Sequence, residues 1–384
     1  MRNGANGLGD FLDDGTLAAL ERPTAEARPL PSRVYTDPDF WRLENERLFA
    51  RAWMCAGYAH EIPDPGDAVP ATVAGAPIVF VRGRDRQMRA FHNVCPHRQN
   101  IVVNEPQKRA GALRCRYHGW TFDLDGRLAL TPHWGGPRAL DAPGFDRACH
   151  GLRPVRMAQW HDWLFVNLSG DAPPFEDVLA PFAARCSGHT LDRLVHACTE
   201  PFSIAANWKL IEENFLEVLH LPTTHPGLNA AAPFHDHEMV SEGALLATVI
   251  RVGLPESWAE VPLPRFPGLA ADDRTALNLA LFPNFKLVVG PDHCASMVEF
   301  PEAVDRTRQR WDFYFVGAEA LEPRHAATRQ AIMDFFVMTN REDVGVLEGL
   351  QRGRASPAAD GGVFSGVWET VVHDFQRHVV AALG

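Results

Sequence analysis

Cys95-Pro96-His97 and, after a gap of seventeen residues, Cys115-Arg116-Tyr117-His118-Gly119-Trp120 decide how the rest of the chain is read. Each arm carries one Cys with a His close behind it. Two thiolates and two imidazoles suit a two-iron, two-sulfide cluster in which one iron takes the sulfur ligands and the other the nitrogens. The same four residues also satisfy a tetrahedral zinc ion. Order favours the cluster: zinc fingers usually pair Cys with Cys and then His with His, whereas here each arm has one of each.

Working outward, the segment from Trp53 to about Leu168 reads as short strands separated by turns. Val69–Val73, Pro77–Val81 and Met88–Phe91 are brief β-like runs, and Gly83-Arg84-Asp85-Arg86 is a hairpin turn between the last two. Thr121–Leu128 repeats the form around Asp125-Gly126, and Trp163–Leu168 closes the set. Both arms therefore fall in loops at strand ends, where a β scaffold holds ligands rigidly. Ahead of this unit, residues 1 to about 34 are polar and rich in Pro, an arm expected to be partly mobile, and Asp37-Pro38-Asp39-Phe40-Trp41 opens a helix.

Beyond a linker around Pro173-Pro174-Phe175, the pattern changes to an α+β unit. Strands are expected at Phe202–Ala206, Leu245–Val252, Leu279–Val289, Ser296–Phe300 and Trp311–Val316, with helices over about 319–350 and 367–383. The stretch Asn207 to His220 reads as one helix with Asn207 as N-cap and with Glu212 and Glu213 early in it, where the macrodipole favours acids. Pro222 should end it. Two His five residues apart on a straight helix point about 140° from each other, so the break is what lets His225 swing round to meet His220. Two imidazoles and one carboxylate on one face make a facial triad for non-haem ferrous iron. Taken alone, His220 and His225 read equally as helix-end histidines meeting the dipole.

Composition narrows the class. The chain has 384 residues with 46% hydrophobic and 22% charged content and a formal net charge of −11, ordinary for a globular chain with a large core. That balance argues against a general phosphate-backbone binder. Its seven Cys, an odd number at unpatterned spacings, argue against a disulfide framework and for a reducing compartment. Met1–Asp14 lacks the basic start and apolar core of a secretory signal, and no run approaches a membrane span, so a cytoplasmic setting is expected.

Cys95-Pro96-His97-Arg98 and His118-Gly119-Trp120 resemble the two cluster loops of Rieske proteins. Asn207-Trp208-Lys209-Leu210 through Glu213-Asn214-Phe215, Glu217, His220 and His225-Pro226 resembles the mononuclear-iron segment of Rieske non-haem iron oxygenase α subunits. The resemblance implies an N-terminal arm over 1–46, a small antiparallel β Rieske domain over 47–168, and a helix-grip catalytic domain over 169–384 with an antiparallel sheet and a long C-terminal helix. It gives Cys95, His97, Cys115 and His118 to a [2Fe-2S] cluster and His220 and His225 to Fe(II). The family's third iron ligand is an Asp on a C-terminal helix, a role carried to Asp343, with Glu342 and Glu348 as competitors. Glu217, where the family more often has Asp, would link His220 to His118 of a neighbouring subunit in a homotrimer.

The implied activity is a terminal oxygenase that uses O2 and electrons from a separate NAD(P)H reductase of flavin or ferredoxin type, since neither a plant-type ferredoxin spacing nor a dinucleotide fingerprint is present. Hydroxylation or oxidative demethylation of a quaternary ammonium compound of the betaine, choline or carnitine type is the first reading. Trp258, Phe282, Phe285 and Phe313 are candidates for a cation–π cage. A ring hydroxylase or O-demethylase of aromatic acids, with Arg251 or Arg265 facing the acid, is the alternative within the family. A Rieske electron carrier without oxygenase activity is the alternative outside it.

Overall fold

Short β-branched and aromatic runs fold Phe49–Ala172 into one unit, while Met1–Leu48 joins Pro173–Gly384 in a second. The computed structural model describes residues 7–250, 261–270 and 272–384. Arg251, Val252 and Trp258, singled out above, lie outside the described residues.

In the first unit, β1 (Met54–Tyr58), β9 (Trp163–Asn167), β8 (Pro154–Trp160), β4 (Met88–His92), β3 (Ala76–Arg82) and β2 (Ala68–Val73) lie side by side in that order. A smaller sheet holds β5 (Leu113–Arg114), β6 (Thr121–Phe122) and β7 (Leu128–Leu130). All pairings are antiparallel. Val79, Val81, Phe91, Val103, Leu113 and Phe122 form one core, and Cys95 and Cys115 are part of it. Thus the thiols point inward while the loops that carry them rise to the surface.

The second unit is built on seven antiparallel strands in the order β10 (Leu194–Ile204), β16 (Arg306–Val316), β15 (His293–Ala303), β14 (Phe285–Val289), β13 (Ala276–Leu281), β12 (Leu245–Ile250) and β11 (His237–Glu242). The run expected as one strand over Leu279–Val289 is a hairpin, broken at Phe282-Pro283-Asn284 where Pro283 has no N–H for the ladder. One sheet face packs Val288, Ala295, Met297, Trp311 and Phe313 against Ile332 and Phe336 of the long helix α7 (Ala326–Arg354). Helix α3 (Phe175–Arg185) meets the opposite face through Phe182 and Phe285, 5.7 Å between ring centroids.

The N-terminal arm is packed rather than mobile over its described part. Leu12, Leu20, Leu30, Val34 and Tyr35 are buried, Leu20 at the end of α1 (Asp14–Leu20). The Leu30 N–H donates to Gln376 Oε1 on α8 (Thr370–Leu383) at 2.7 Å, and the Tyr35 hydroxyl donates to Glu213 Oε1 at 2.5 Å. Next, α2 (Pro38–Glu44) ends in Glu44, which accepts from Lys209 Nζ at 2.6 Å and from Trp208 Nε1 at 3.1 Å, both on α4 (Trp208–Phe215). A scattered polar sequence gave no sign of these partners, which lie more than 150 residues away.

Candidate functional site

The two cluster arms are copies of one loop. Cys95 N–H donates to the Asn100 carbonyl at 2.9 Å and Gln99 N–H returns to the Cys95 carbonyl at 2.9 Å. In the other arm Cys115 N–H donates to the Trp120 carbonyl at 2.9 Å and Gly119 N–H to the Cys115 carbonyl at 3.1 Å. Gln99 and Gly119 hold the same place in each loop, and both have left-handed backbone, φ 54° and 72°. That conformation suits Gly and costs Gln some strain. The loops set the His97 and His118 rings 4.5 Å apart, and Trp120 stacks on His97 at 4.8 Å.

This donor set fits a [2Fe-2S] cluster. Burial pushes the Cys95 thiol up to about 11, and the adjacent Cys115 adds to the push; a cationic cluster is what makes thiolates there. Asn100 Nδ2 lies 3.7 Å from Cys115 Sγ and supplies a donor to sulfur. His118 is exposed while both Cys are buried, so the imidazole edge faces outward.

The second centre departs from the expected single helix. Helix α4 has its N-cap at Asn207, whose side chain accepts from Lys209 N–H, but it ends at Phe215, well before Pro222. The Glu217 carboxylate takes the backbone N–H groups of Leu219 and His220 and so turns the chain out of the helix. Pro222 starts the one-turn α5 (Leu221–Thr224) instead of ending α4. His220 and His225 are the N-cap and C-cap of that turn, and their rings approach to 5.1 Å at an angle of 79°. Glu212 and Glu213 belong to the last turn of α4, where the dipole opposes them. Glu212 is buried and Glu213 half-buried, and loss of solvent holds both above the ordinary carboxylate range; Glu213 pairs with Tyr35, and Glu212 with Lys286 at 3.3 Å.

Asp343 comes from α7, and its Oδ1 lies 2.9 Å from His225 Nε2 and 3.8 Å from His220 Nε2. One ligand atom from each of His220, His225 and Asp343 falls within 4.8 Å of the other two. The other ring nitrogens are held by carboxylates: Glu217 Oε1 at 2.5 Å from His220 Nδ1, and Glu342 Oε2 at 2.7 Å from His225 Nδ1. Carboxylates on Nδ1 fix the tautomer that presents Nε2 to a metal, and a two-His, one-carboxylate face is the donor set of non-haem iron. Glu342, a competitor for the third ligand, therefore backs His225, whereas Glu348 accepts from Ala205 N–H at 3.3 Å. Burial works against the charged form of His225, yet Asp343 and Glu342 together raise its pKa above the usual His value.

A cavity of about 140 Å³ opens beside these ligands. Its aromatic lining is Phe215, Trp311, Phe335 and Phe336. Of the aromatics singled out from sequence, the three among the described residues are elsewhere: Phe282 packs on Phe375, Phe285 on Phe182, and Phe313 lies in the core with Trp311. Arg265 donates to the Ala270 and Asp273 carbonyls rather than into the cavity. Sequence reading missed Phe336, Asn340 and Leu347, although with Asp343 they form a stripe at heptad spacing along α7.

Comparison with known proteins agrees with this geometry. Residues 189–384 match the family model of the ring hydroxylating alpha subunit (catalytic domain), and residues 52–140 match the Rieske [2Fe-2S] domain. The chain is 30% identical over 338 residues to the carnitine monooxygenase oxygenase subunit of Acinetobacter pittii, covering 85% of each. It is 33% identical over 232 residues to the glycine betaine monooxygenase oxygenase subunit of Chromohalobacter salexigens, covering 57% of this chain and 51% of that one. The solved structure of a quaternary ammonium Rieske monooxygenase superposes with a TM-score of 0.82 at 26% identity, covering 95% of this chain and 98% of the other. The chain belongs to the Rieske oxygenases, in which a Rieske [2Fe-2S] domain is joined to a ring-hydroxylating alpha-subunit catalytic domain for mononuclear iron.

Proposed function

We propose that this chain is the terminal oxygenase of a system that oxidises a small quaternary ammonium compound of the carnitine or betaine type, with His220, His225 and Asp343 holding iron and Cys95, His97, Cys115 and His118 holding the cluster. One observation carries the reading: a carboxylate-backed two-His, one-Asp face opens on a cavity lined by Phe215, Trp311, Phe335 and Phe336. Aromatic faces attract a desolvated ammonium by roughly 2 kcal/mol or more. The relatives named for carnitine and glycine betaine support the same substrate class.

When bound, the metal groups supply stepwise electron delivery and O2 activation. The protein's own contribution is positional. Glu217 and Glu342 orient the two imidazoles through Nδ1, and the apolar cavity wall excludes water from the substrate methyl groups. Exposed His118 is the cluster ligand available to another chain, and Glu217, bonded to His220, is the acid we assign to receive it from a neighbouring copy in a homotrimer. The similar solved enzyme is itself described in terms of inter-subunit electron transfer. A separate NAD(P)H-fed reductase completes the system. An odd number of Cys at unpatterned spacings favours a reducing, cytoplasmic setting, and among the described residues no helix is long and apolar enough to cross a membrane.

Oxygen consumption with a reductase and NADH, screened over carnitine, glycine betaine, choline and aromatic acids with product identification, tests this reading. Coupled turnover of quaternary amines is the expected result. Turnover of aromatic acids alone would overturn the substrate assignment.

A further inference from the structure

Two polar groups in the cavity wall play no part in holding metal. His293, the first residue of β15, is 2% exposed, and its Nε2 makes no hydrogen bond. Asn340, on α7 between Phe336 and Asp343, is 5% exposed, and its Nδ2 is likewise without a partner. An unsatisfied buried polar group is destabilising, so these atoms on one cavity wall call for a ligand that satisfies them.

The surroundings of His293 are built to hold that ring in place. Its Nδ1 lies 2.6 Å from Asp292 Oδ1, which holds the ring and leaves Nε2 as the unpartnered nitrogen of a residue that lines the cavity. The ring lies over Gly290, also part of the cavity wall, and a Cβ there would stand 2.7 Å from His293 Cε1 and 3.0 Å from Nε2. Any larger residue at 290 displaces the imidazole. The ring also meets Phe336 at 5.6 Å.

Helix α7 gives the spacing. Asn340 precedes Asp343 by one turn, about 4.5 Å along the axis, and Phe336, beside His293, precedes it by two turns, about 10 Å. Asn340 thus stands one turn from the proposed metal ligand, and His293 packs beside the residue two turns from it.

Resting on the quaternary-ammonium reading above, we propose that Asn340 and His293 form a polar subsite for the oxygen-bearing end of the substrate. The ammonium group sits among the aromatic rings, nearer Asp343. The ligand chemistry is a hydroxyl carried by a trimethylammonium compound: its oxygen accepts from Asn340 Nδ2, and its O–H donates to the Nε2 lone pair that Asp292 at Nδ1 leaves on His293. The subsite sets which quaternary amines are held with a methyl group toward the metal.

Anaerobic calorimetric titration of the iron-loaded protein, without reductant, tests this by binding alone. The probes are tetramethylammonium, which has no oxygen, choline with a hydroxyl, and glycine betaine with a carboxylate. The wild-type chain should bind choline about tenfold or more tighter than tetramethylammonium, the effect of one to two hydrogen bonds. His293→Phe and Asn340→Leu should each bring that ratio toward one. Glycine betaine, whose carboxylate has no proton to give Nε2, should gain less than choline. A wild-type ratio near one for choline, or a ratio kept in both His293→Phe and Asn340→Leu, overturns the subsite. Failure of the wild-type chain to bind any of the three overturns the quaternary-ammonium reading beneath it.

Discussion

His225 is held from both sides, by Glu342 at Nδ1 and by Asp343 at Nε2, with its side chain 1% exposed. A carboxylate behind a metal-binding imidazole is typically worth 10–100-fold in metal affinity. Glu342→Gln should therefore weaken iron binding by roughly that factor in a chelator competition, while the visible spectrum of the cluster stays unchanged. Unaltered affinity would remove Glu342 from the site. The raised pKa of His225 also predicts a pH effect of definite sign. Protonated His225 stabilises the metal-free fold fully below the unfolded value of about 6.5, and this stabilisation is lost as pH rises through the higher folded value. Metal requires the neutral ring, so iron affinity should instead fall as pH drops. Denaturant melts of metal-free protein across pH 5.5–8, beside iron titrations, should show the two trends running in opposite directions.

At the scale of elements, the motif from Asn207 to His225 was legible as to which residues matter but not as to how the backbone carries them. Pro222 is visible in sequence as a helix breaker, whereas the Glu217 carboxylate bonding its own backbone two and three residues on is a local competition that no periodicity reports. The cavity was not legible, because side-chain direction in a strand reverses with each residue. Phe285 faces α3 while Lys286 beside it lines the cavity, and only the register decides which is which. The buried Lys209–Glu44 pair is another contact invisible in sequence, and it fastens α2 to α4. Removing one partner of such a pair typically costs 3–5 kcal/mol because the other charge is left buried. Lys209→Met should therefore lower unfolding stability by about that amount in denaturant melts, and the double variant with Glu44→Leu should recover much of it. A single-variant loss below ~1 kcal/mol would mean that the pair contributes little.

For the molecule as a whole, the structure divides at Ala172/Pro173, and the sequence shows its change in strand and helix patterning between Leu168 and His196. The docking of residues 7–48 on the larger unit was not legible there, since its partners lie on α4 and α8 far along the chain. Exposed His118 and the Glu217–His220 pair lead to a prediction at the scale of the assembly. Glu217→Gln, loaded with enough iron to offset the lost backing of His220, should hold both metal centres and slow reoxidation of the reduced cluster in single turnover. Unchanged kinetics would sink the proposed route between subunits.

The central claim is that one chain carries a cluster and a separate iron held by His220, His225 and Asp343. Iron and acid-labile sulfide content, measured side by side in the wild-type chain and in His225→Ala, tests it most directly. About three irons and two sulfides per wild-type chain are expected, and about two of each in the variant with its cluster spectrum intact. Equal iron in the two proteins, or about two irons in the wild type after reconstitution, would contradict it.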